Sequence, residues 1–162
     1  MKKPIVVIPA VINHAIGNKY GGWGWMEYSK KAWKYWCDKN GYELVIYDKC
    51  KISDLVKYRV TVQRWFDIHE FLEEKGIEYS KVLMVDACSI PHWNCPDFFK
   101  LTGDNMCGMY DMDNLGWVHE SVEGYKHMFN DFKFDLTKYM NSGWVIFNKS
   151  HKKLFKQFEE YY

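Results

Sequence analysis

The segment Lys81-Val-Leu-Met-Val-Asp-Ala-Cys-Ser-Ile90 constrains this chain more than any other. Lys81–Asp86 reads as a short, continuously apolar strand that ends in one carboxylate. Such runs, bounded by polar residues, suit a sheet covered on both faces, as parallel sheets are. In open α/β sheets, ligands gather at the carboxyl ends of the strands. Asp86 therefore reads either as a functional acid or as an acid that caps the turn after the strand.

At 162 residues the chain has room for one domain, residues 1–162, with a substantial core. A net charge of +1, with both signs interspersed, leaves no basic stripe for nucleic acid and no polybasic membrane patch. Met1-Lys-Lys-Pro-Ile-Val-Val-Ile8 starts like a signal peptide but lacks the long apolar centre, so a first strand is expected there. No apolar run is long enough to cross a bilayer, and a soluble, cytoplasmic protein is the expectation. Five cysteines (Cys37, Cys50, Cys88, Cys95, Cys107), odd in number and irregular in spacing, argue for reduced thiols. Aromatic residues make up 19%, with eight Trp and twelve Tyr. The clusters at Tyr20-Gly-Gly-Trp-Gly-Trp25 and around Trp93 read either as filling for a Leu-poor core or as a cleft that stacks on flat ligands or sugar faces.

Strand and helix patterns alternate along the chain without repeats or linkers. Pro4–Pro9 is the expected first strand, and Asn13–Gly24 a glycine-rich loop. A helix is expected from about Met26, with Ala32, Trp33, Trp36 and Cys37 at helical spacing and Asn40-Gly41 as its stop. Tyr42–Tyr47 follows as a strand. Tyr58–Lys75 is the next helix, with Trp65, Ile68 and Leu72 on one stripe and Gly76 as breaker. Beyond Lys81–Asp86, strands are expected at Asn105–Tyr110 and Gly143–Phe147, and an amphipathic segment at Val118–Asn130. Ser150 is the expected N-cap of a closing helix whose face carries Leu154, Phe155, Phe158 and Tyr162. This alternation predicts an α/β fold with a mostly parallel sheet flanked by helices. The chain stops within that helix, which suggests a fold shortened at its C-terminus.

Several of these segments match a family pattern. Lys81-Val-Leu-Met-Val-Asp86 resembles the strand before the Asp-x-Asp motif of GT-A glycosyltransferases. Tyr139-Met-Asn-Ser-Gly-Trp-Val-Ile-Phe-Asn148 is similar to their second block, where an Asn-small-Gly turn opens a buried strand. Trp33-Lys-Tyr-Trp-Cys-Asp-Lys-Asn-Gly-Tyr-Glu-Leu44 resembles their helix leading into a Gly-Tyr-x-Leu strand, and Gln63-Arg-Trp-Phe66 sits where they carry a basic residue. The order and separation of the blocks fit as well. The likeness is greatest to retaining families 8 and 34. It implies a Rossmann-like GT-A fold and transfer of a sugar from a nucleotide-sugar donor, UDP-linked in most such families, to a carbohydrate or glycoconjugate acceptor.

The resemblance also implies roles. A divalent Mn²⁺ or Mg²⁺ bridging the donor phosphates acts as a Lewis acid on the departing nucleoside diphosphate and takes hard oxygen ligands. Asp86 is the implied ligand. At the second motif position this chain has Cys88, a soft thiol poorly matched to either ion, so metal binding is expected to be weak. Ala87 lies between them in the donor site. Arg64 would reach the donor's sugar or phosphates, unless it is a solvated helix residue. Asn141, Ser142 and Gly143 would line the sugar pocket, the glycine letting backbone approach closely. Pro9, Ala10 and Val11 fall where the family seats the nucleotide base, largely through backbone. Asp111 and Asn141 are the implied catalytic residues. For a covalent retaining route, Asp111, Asp113 and Asp135 are the candidate nucleophiles, with no choice among them.

Two other readings remain open. Cys88, His92 and Cys95, with Cys107 or His119, offer ligands for zinc, although not at the usual paired spacing. Alternatively, the altered acid motif fits a degenerate domain that binds a sugar nucleotide or glycan without turnover.

Overall fold

A computed structural model describes residues 2–12, 23–111, 114–129 and 133–161. Its centre is a five-stranded sheet built from β1 (Ile5–Pro9), β2 (Glu43–Tyr47), β3 (Val82–Val85), β4 (Cys107–Tyr110) and β5 (Met140–Phe147), in the order β2-β1-β3-β5-β4. Helices α1 (Trp25–Asn40) and α3 (Phe98–Leu101) cover one face, and α2 (Val60–Glu74) and α5 (Lys152–Tyr161) the other. α4 (Leu115–Tyr125) lies between β4 and β5 in the chain.

The burial pattern explains the layers. Every residue of β1 and β3 is buried, as expected for strands covered on both sides. Val7, Val82, Met84, Val145 and Phe147 pack with Ile68, Leu72 and Phe155 on the α2/α5 face. Val6, Ile8, Leu83, Val85 and Ile146 pack with Trp33, Trp36 and Phe99 on the α1/α3 face. Much of the Trp surplus is thus core: Trp33 and Trp36 meet edge-on, and Trp36 stacks on Phe98. Glycine ends both long helices. Gly41 and Gly76 adopt φ of 74° and 66°, a left-handed conformation that costs glycine little.

The sheet is mixed: four strands run in one direction, as expected of a mostly parallel sheet, and one is reversed. β1 pairs in parallel with β2 and β3, but β5 is antiparallel to both β3 and β4. After β4 the chain stays at the strands' carboxyl end through α4, so β5 enters from that end and must run back. The reversal matters for function. The ends of β1, β3 and β4 and the start of β5 now meet along one edge.

Boundaries also differ, three of them for an identifiable local reason. The amphipathic segment expected at Val118–Asn130 belongs to a helix that begins earlier, at Leu115, because the Asn114 side chain accepts from Trp117 N and caps it. β5 begins at Met140, three residues before the expected start, because Met140 and Asn141 pair with Tyr110 and Met109 across an irregularity in β4. Asn148, not Ser150, caps the last helical segment: its side chain accepts from Ser150 N, and its backbone N–H donates to His151 Nδ1.

His69, 2% exposed in the α2/α5 layer, lies 2.6 Å from the Tyr79 hydroxyl through Nδ1 and against Phe147 and Phe155. Burial pushes its pKa down to about 4. The unfolded chain therefore takes up a proton first as pH falls. Stability held in full above about pH 6.5 is lost between there and pH 4, by roughly 3 kcal/mol from this residue. His69→Gln, which cannot titrate, is expected to show a shallower fall in Tm between pH 7 and pH 4 than the parent chain. Parallel curves would refute this.

Candidate functional site

At the edge where β1, β3 and β4 end, the polar residues form a continuous row on the α2/α5 face. Asp86 follows β3, and its backbone N–H donates to Gly143 O at 2.9 Å. One Asp86 carboxylate oxygen, Oδ1, is ion-paired with Arg64 Nη1. The second, Oδ2, lies against Gly143: a Cβ on that glycine would sit 2.6 Å from it and 2.8 Å from Asn141 Oδ1. Asn141 Oδ1 accepts from Gly143 N at 2.7 Å, while its Nδ2 donates to Asp111 Oδ2 at 3.2 Å. Asp111 N in turn donates to Tyr139 O at 2.9 Å. Strand alternation accounts for the row, because Asp111 and Asn141 fall on one face when Met109 pairs with Asn141 and Tyr110 with Met140.

Arg64 sits beneath this row rather than at the surface. Its side chain is 4% exposed, against 39% for Asp86. Nη2 donates to Ser142 O at 3.0 Å, and the guanidinium lies over the Trp65 ring. The fork thus ties α2 to the end of β3 and the start of β5, a use that a planar two-pronged donor suits. In this geometry the Arg64 head group is engaged with the protein, not held out toward a ligand.

The other sequence-derived residues fall around the row. Pro9 ends β1, and continuing the β1–β3 register brings it level with Asp86. Ala10 N donates to Tyr47 O, and the side chains of Ala10 and Ala87 are buried in the α1/α3 layer, behind the sheet. Val11 is partly buried against the opposite layer. Ser142 is exposed. Asp113 and Tyr20–Gly22 lie outside the described residues. Trp23 and Trp25 contact each other with ring centroids 6.1 Å apart and pack against the α1/α3 core, whereas Trp93 is exposed beside His92. Asp135 is remote in role, capping the turn Leu136–Lys138.

Ser89 was not singled out by its sequence context, yet it anchors the loop after Asp86. Its hydroxyl donates to Asp86 O at 2.6 Å, and its carbonyl accepts from Ser29 Oγ and Trp33 Nε1. A serine three residues after a strand-ending acid is the available signal, since such hydroxyls close turns onto nearby carbonyls.

Cys88 is exposed. Partial desolvation first, then the Asp86 charge, push its thiol above the ordinary value. At neutral pH it is a protonated, soft group, a poor ligand for Mn²⁺ or Mg²⁺. Asp86 gives one oxygen to Arg64. Among the described residues, no three His, Cys, Asp or Glu side chains gather as a metal-ligand group. No three of Cys88, His92, Cys95, Cys107 and His119, the ligands of the alternative zinc reading, gather either; His92 Nδ1 accepts from Asn94 N, and Cys107 Sγ donates to Asn105 O. Among the described residues, the side chains therefore do not by themselves gather a site for a divalent cation. Cys88→Asp would supply a second hard ligand. It is expected to tighten Mn²⁺ binding at least tenfold by calorimetry, and unchanged affinity would show that positions 86 and 88 do not face a common ion.

No protein-family model matches the chain, and no curated protein is similar to it in sequence. A solved structure is similar: the crystal structure of a glycosyltransferase involved in the glycosylation of the major capsid of PBCV-1, at a TM-score of 0.57 and 11% identity. The match covers 95% of this chain and 64% of that chain, so the chain spans less than two thirds of the neighbour's length. At this identity the likeness is one of fold. The mixed sheet with its flanking helices is similar in fold to that glycosyltransferase. Among the described residues, no helix is long and apolar enough to cross a membrane.

Proposed function

We propose that this chain is a GT-A glycosyltransferase domain, akin to retaining families 8 and 34, that moves a sugar from a nucleoside-diphosphate donor to a carbohydrate or glycoconjugate acceptor. The observation that carries the reading is the row Asp86–Gly143–Asn141–Asp111 at the carboxyl edge of a glycosyltransferase-fold sheet. Carboxylates and an amide at that edge suit the hydroxyls of a donor sugar. Pro9–Val11, beside Asp86, offer backbone to a nucleotide base, and UDP is the expected nucleotide.

In this reading Asp86 and Asn141 hold the transferred sugar, while Asp111, held by Asn141, faces its reacting side. Ser142 and Gly143 bring backbone close to the ring. Arg64 acts through Asp86 and Ser142 by fixing where they point. No step is assigned to a divalent cation, because no metal-ligand group gathers among the described residues.

A second reading is a binding domain without turnover. It is favoured by the thiol at position 88 and by the Arg64 pair that takes up one Asp86 oxygen. Thermal-shift screening with UDP, GDP and their sugars, with and without Mn²⁺, followed by a donor-hydrolysis assay, separates the two. Stabilisation with hydrolysis supports the transferase. Stabilisation without hydrolysis supports the binding domain, and no shift with any nucleotide would sink both.

A further inference from the structure

Beyond Asp111 the polar row meets two aromatic rings. Tyr139 follows Asn141 outward along the same face of the sheet, since Tyr139 O accepts from Asp111 N and Tyr110 pairs with Met140. Its ring meets Trp117 of α4 at a centroid distance of 5.9 Å and an angle of 87°. The two rings form a corner, a floor and a wall at right angles, rather than a stack. Trp117 is 50% exposed, so one side of this corner faces water.

Both rings are held in place. Asn114 Oδ1 accepts from Trp117 N at 3.0 Å, fixing the first turn of α4, while Val118 and Val122 bury the helix's inner stripe. Tyr139 interacts with Tyr125 side chain to side chain, and Asp135 caps the turn that leads into Tyr139. Single exposed aromatics are ordinary on protein surfaces. A braced right-angle pair beside a carboxylate and an amide is a more specific arrangement. Its apolar faces suit the C–H face of a six-membered sugar ring, and Asp111 and Asn141 supply acceptors and a donor for the hydroxyls at its rim. A diphosphate would be repelled by the carboxylate, whereas a neutral, hydroxyl-rich ring is not.

We infer that Trp117 and Tyr139, with Asp111 and Asn141, form a pyranose subsite. The ring it takes is a sugar of the donor or of the acceptor, and this assignment of the subsite rests on the glycosyltransferase reading only for which of them binds.

The test uses the full chain labelled with 5-fluorotryptophan, the Trp117 resonance being assigned by its loss in Trp117→Phe. Methyl glucoside, methyl galactoside, UDP, UDP-glucose and UDP-galactose are titrated separately. A methyl glycoside or a UDP-sugar is expected to move the Trp117 resonance, and UDP alone is not. Trp117→Ala is expected to weaken the sugar-bearing ligand about tenfold while leaving UDP affinity within about twofold. A shift with UDP-sugar but not with free glycosides assigns the subsite to the donor, and the converse to the acceptor. Movement with glycosides while no nucleotide binds keeps the subsite and removes the donor reading. If nucleotides bind but no sugar moves Trp117, the subsite is wrong and the donor reading survives. The subsite is equally overturned if Trp117→Ala weakens UDP and UDP-sugar alike, or if the resonance responds only to protein concentration, which would mean that a second copy covers the corner.

Discussion

Gly143→Ala is expected to lower donor turnover by about a hundredfold, the scale on which displacing a positioned group by about an ångström acts. The reason is space, not backbone freedom. Positive φ is found among the described glycines at Gly41 and Gly76, not at Gly143. A methyl group at position 143 would stand 2.6 Å from Asp86 Oδ2, 2.8 Å from Asn141 Oδ1 and 3.0 Å from Asp86 Cγ. Neither neighbour can swing away freely, because Asp86 is ion-paired to the buried Arg64, and Asn141 is bonded to Gly143 N and Asp111. The methyl must therefore displace the two side chains proposed to hold the sugar. Overpacking of this kind costs about 2 kcal/mol of stability, so the variant still folds. Gly108→Ala is the matched control. Its methyl would meet Met140 Sδ at 2.9 Å, the mobile part of a flexible side chain that can move aside. Steady-state kinetics on both variants, or donor affinity by calorimetry if turnover is absent, decides the matter. Equal, small effects would show that Gly143 does not shape a donor site.

How far such a site can be read from sequence depends on what each residue's neighbours leave free. Asp86 was legible because four consecutive apolar residues deliver it, and β3 is buried throughout. The stops at Gly41 and Gly76 were legible because glycine alone enters the left-handed region without penalty. The direction of β5 was not, since an apolar run carries no sign of which way it crosses a sheet. That unreadable reversal is what brings Asn141 and Gly143 beside Asp86. The cap at Asn148 rather than Ser150 was equally hidden, because the two residue types cap about equally well. Arg64 shows the limit for long side chains: its place on α2 puts it near Asp86, but whether its fork points inward or outward depends on the room under β5. The cysteines bear on the zinc alternative, whose spacing was already not the usual paired one: among the described residues no such cluster gathers in the loop after β3.

The Arg64–Asp86 pair should respond to mutation asymmetrically. Arg64 is 4% exposed and Asp86 39%, so removing the acid strands a cation that water cannot reach, whereas removing the base leaves an acid that water can solvate. Removing the exposed partner, which leaves the buried charge unpaired, is the costly case, on the order of 3 kcal/mol. For a chain of this length that is a fall of about 10 °C in Tm for Asp86→Asn. Arg64→Met keeps a buried apolar stem, although it gives up the guanidinium's contact with Trp65, and should lose less than half as much. The double variant should regain part of the Asp86→Asn loss, because the stranded charge is gone. Arg64→Lys retains charge but not the fork, and one ammonium cannot reproduce the paired geometry toward both Asp86 Oδ1 and Ser142 O. It is expected to keep most of the stability and lose donor binding, which separates aiming the carboxylate from holding the fold. Thermal unfolding of the four variants, with donor affinity measured on each, tests both halves. Equal losses for Asp86→Asn and Arg64→Met would refute the asymmetry, and full donor affinity in Arg64→Lys would refute the aiming role.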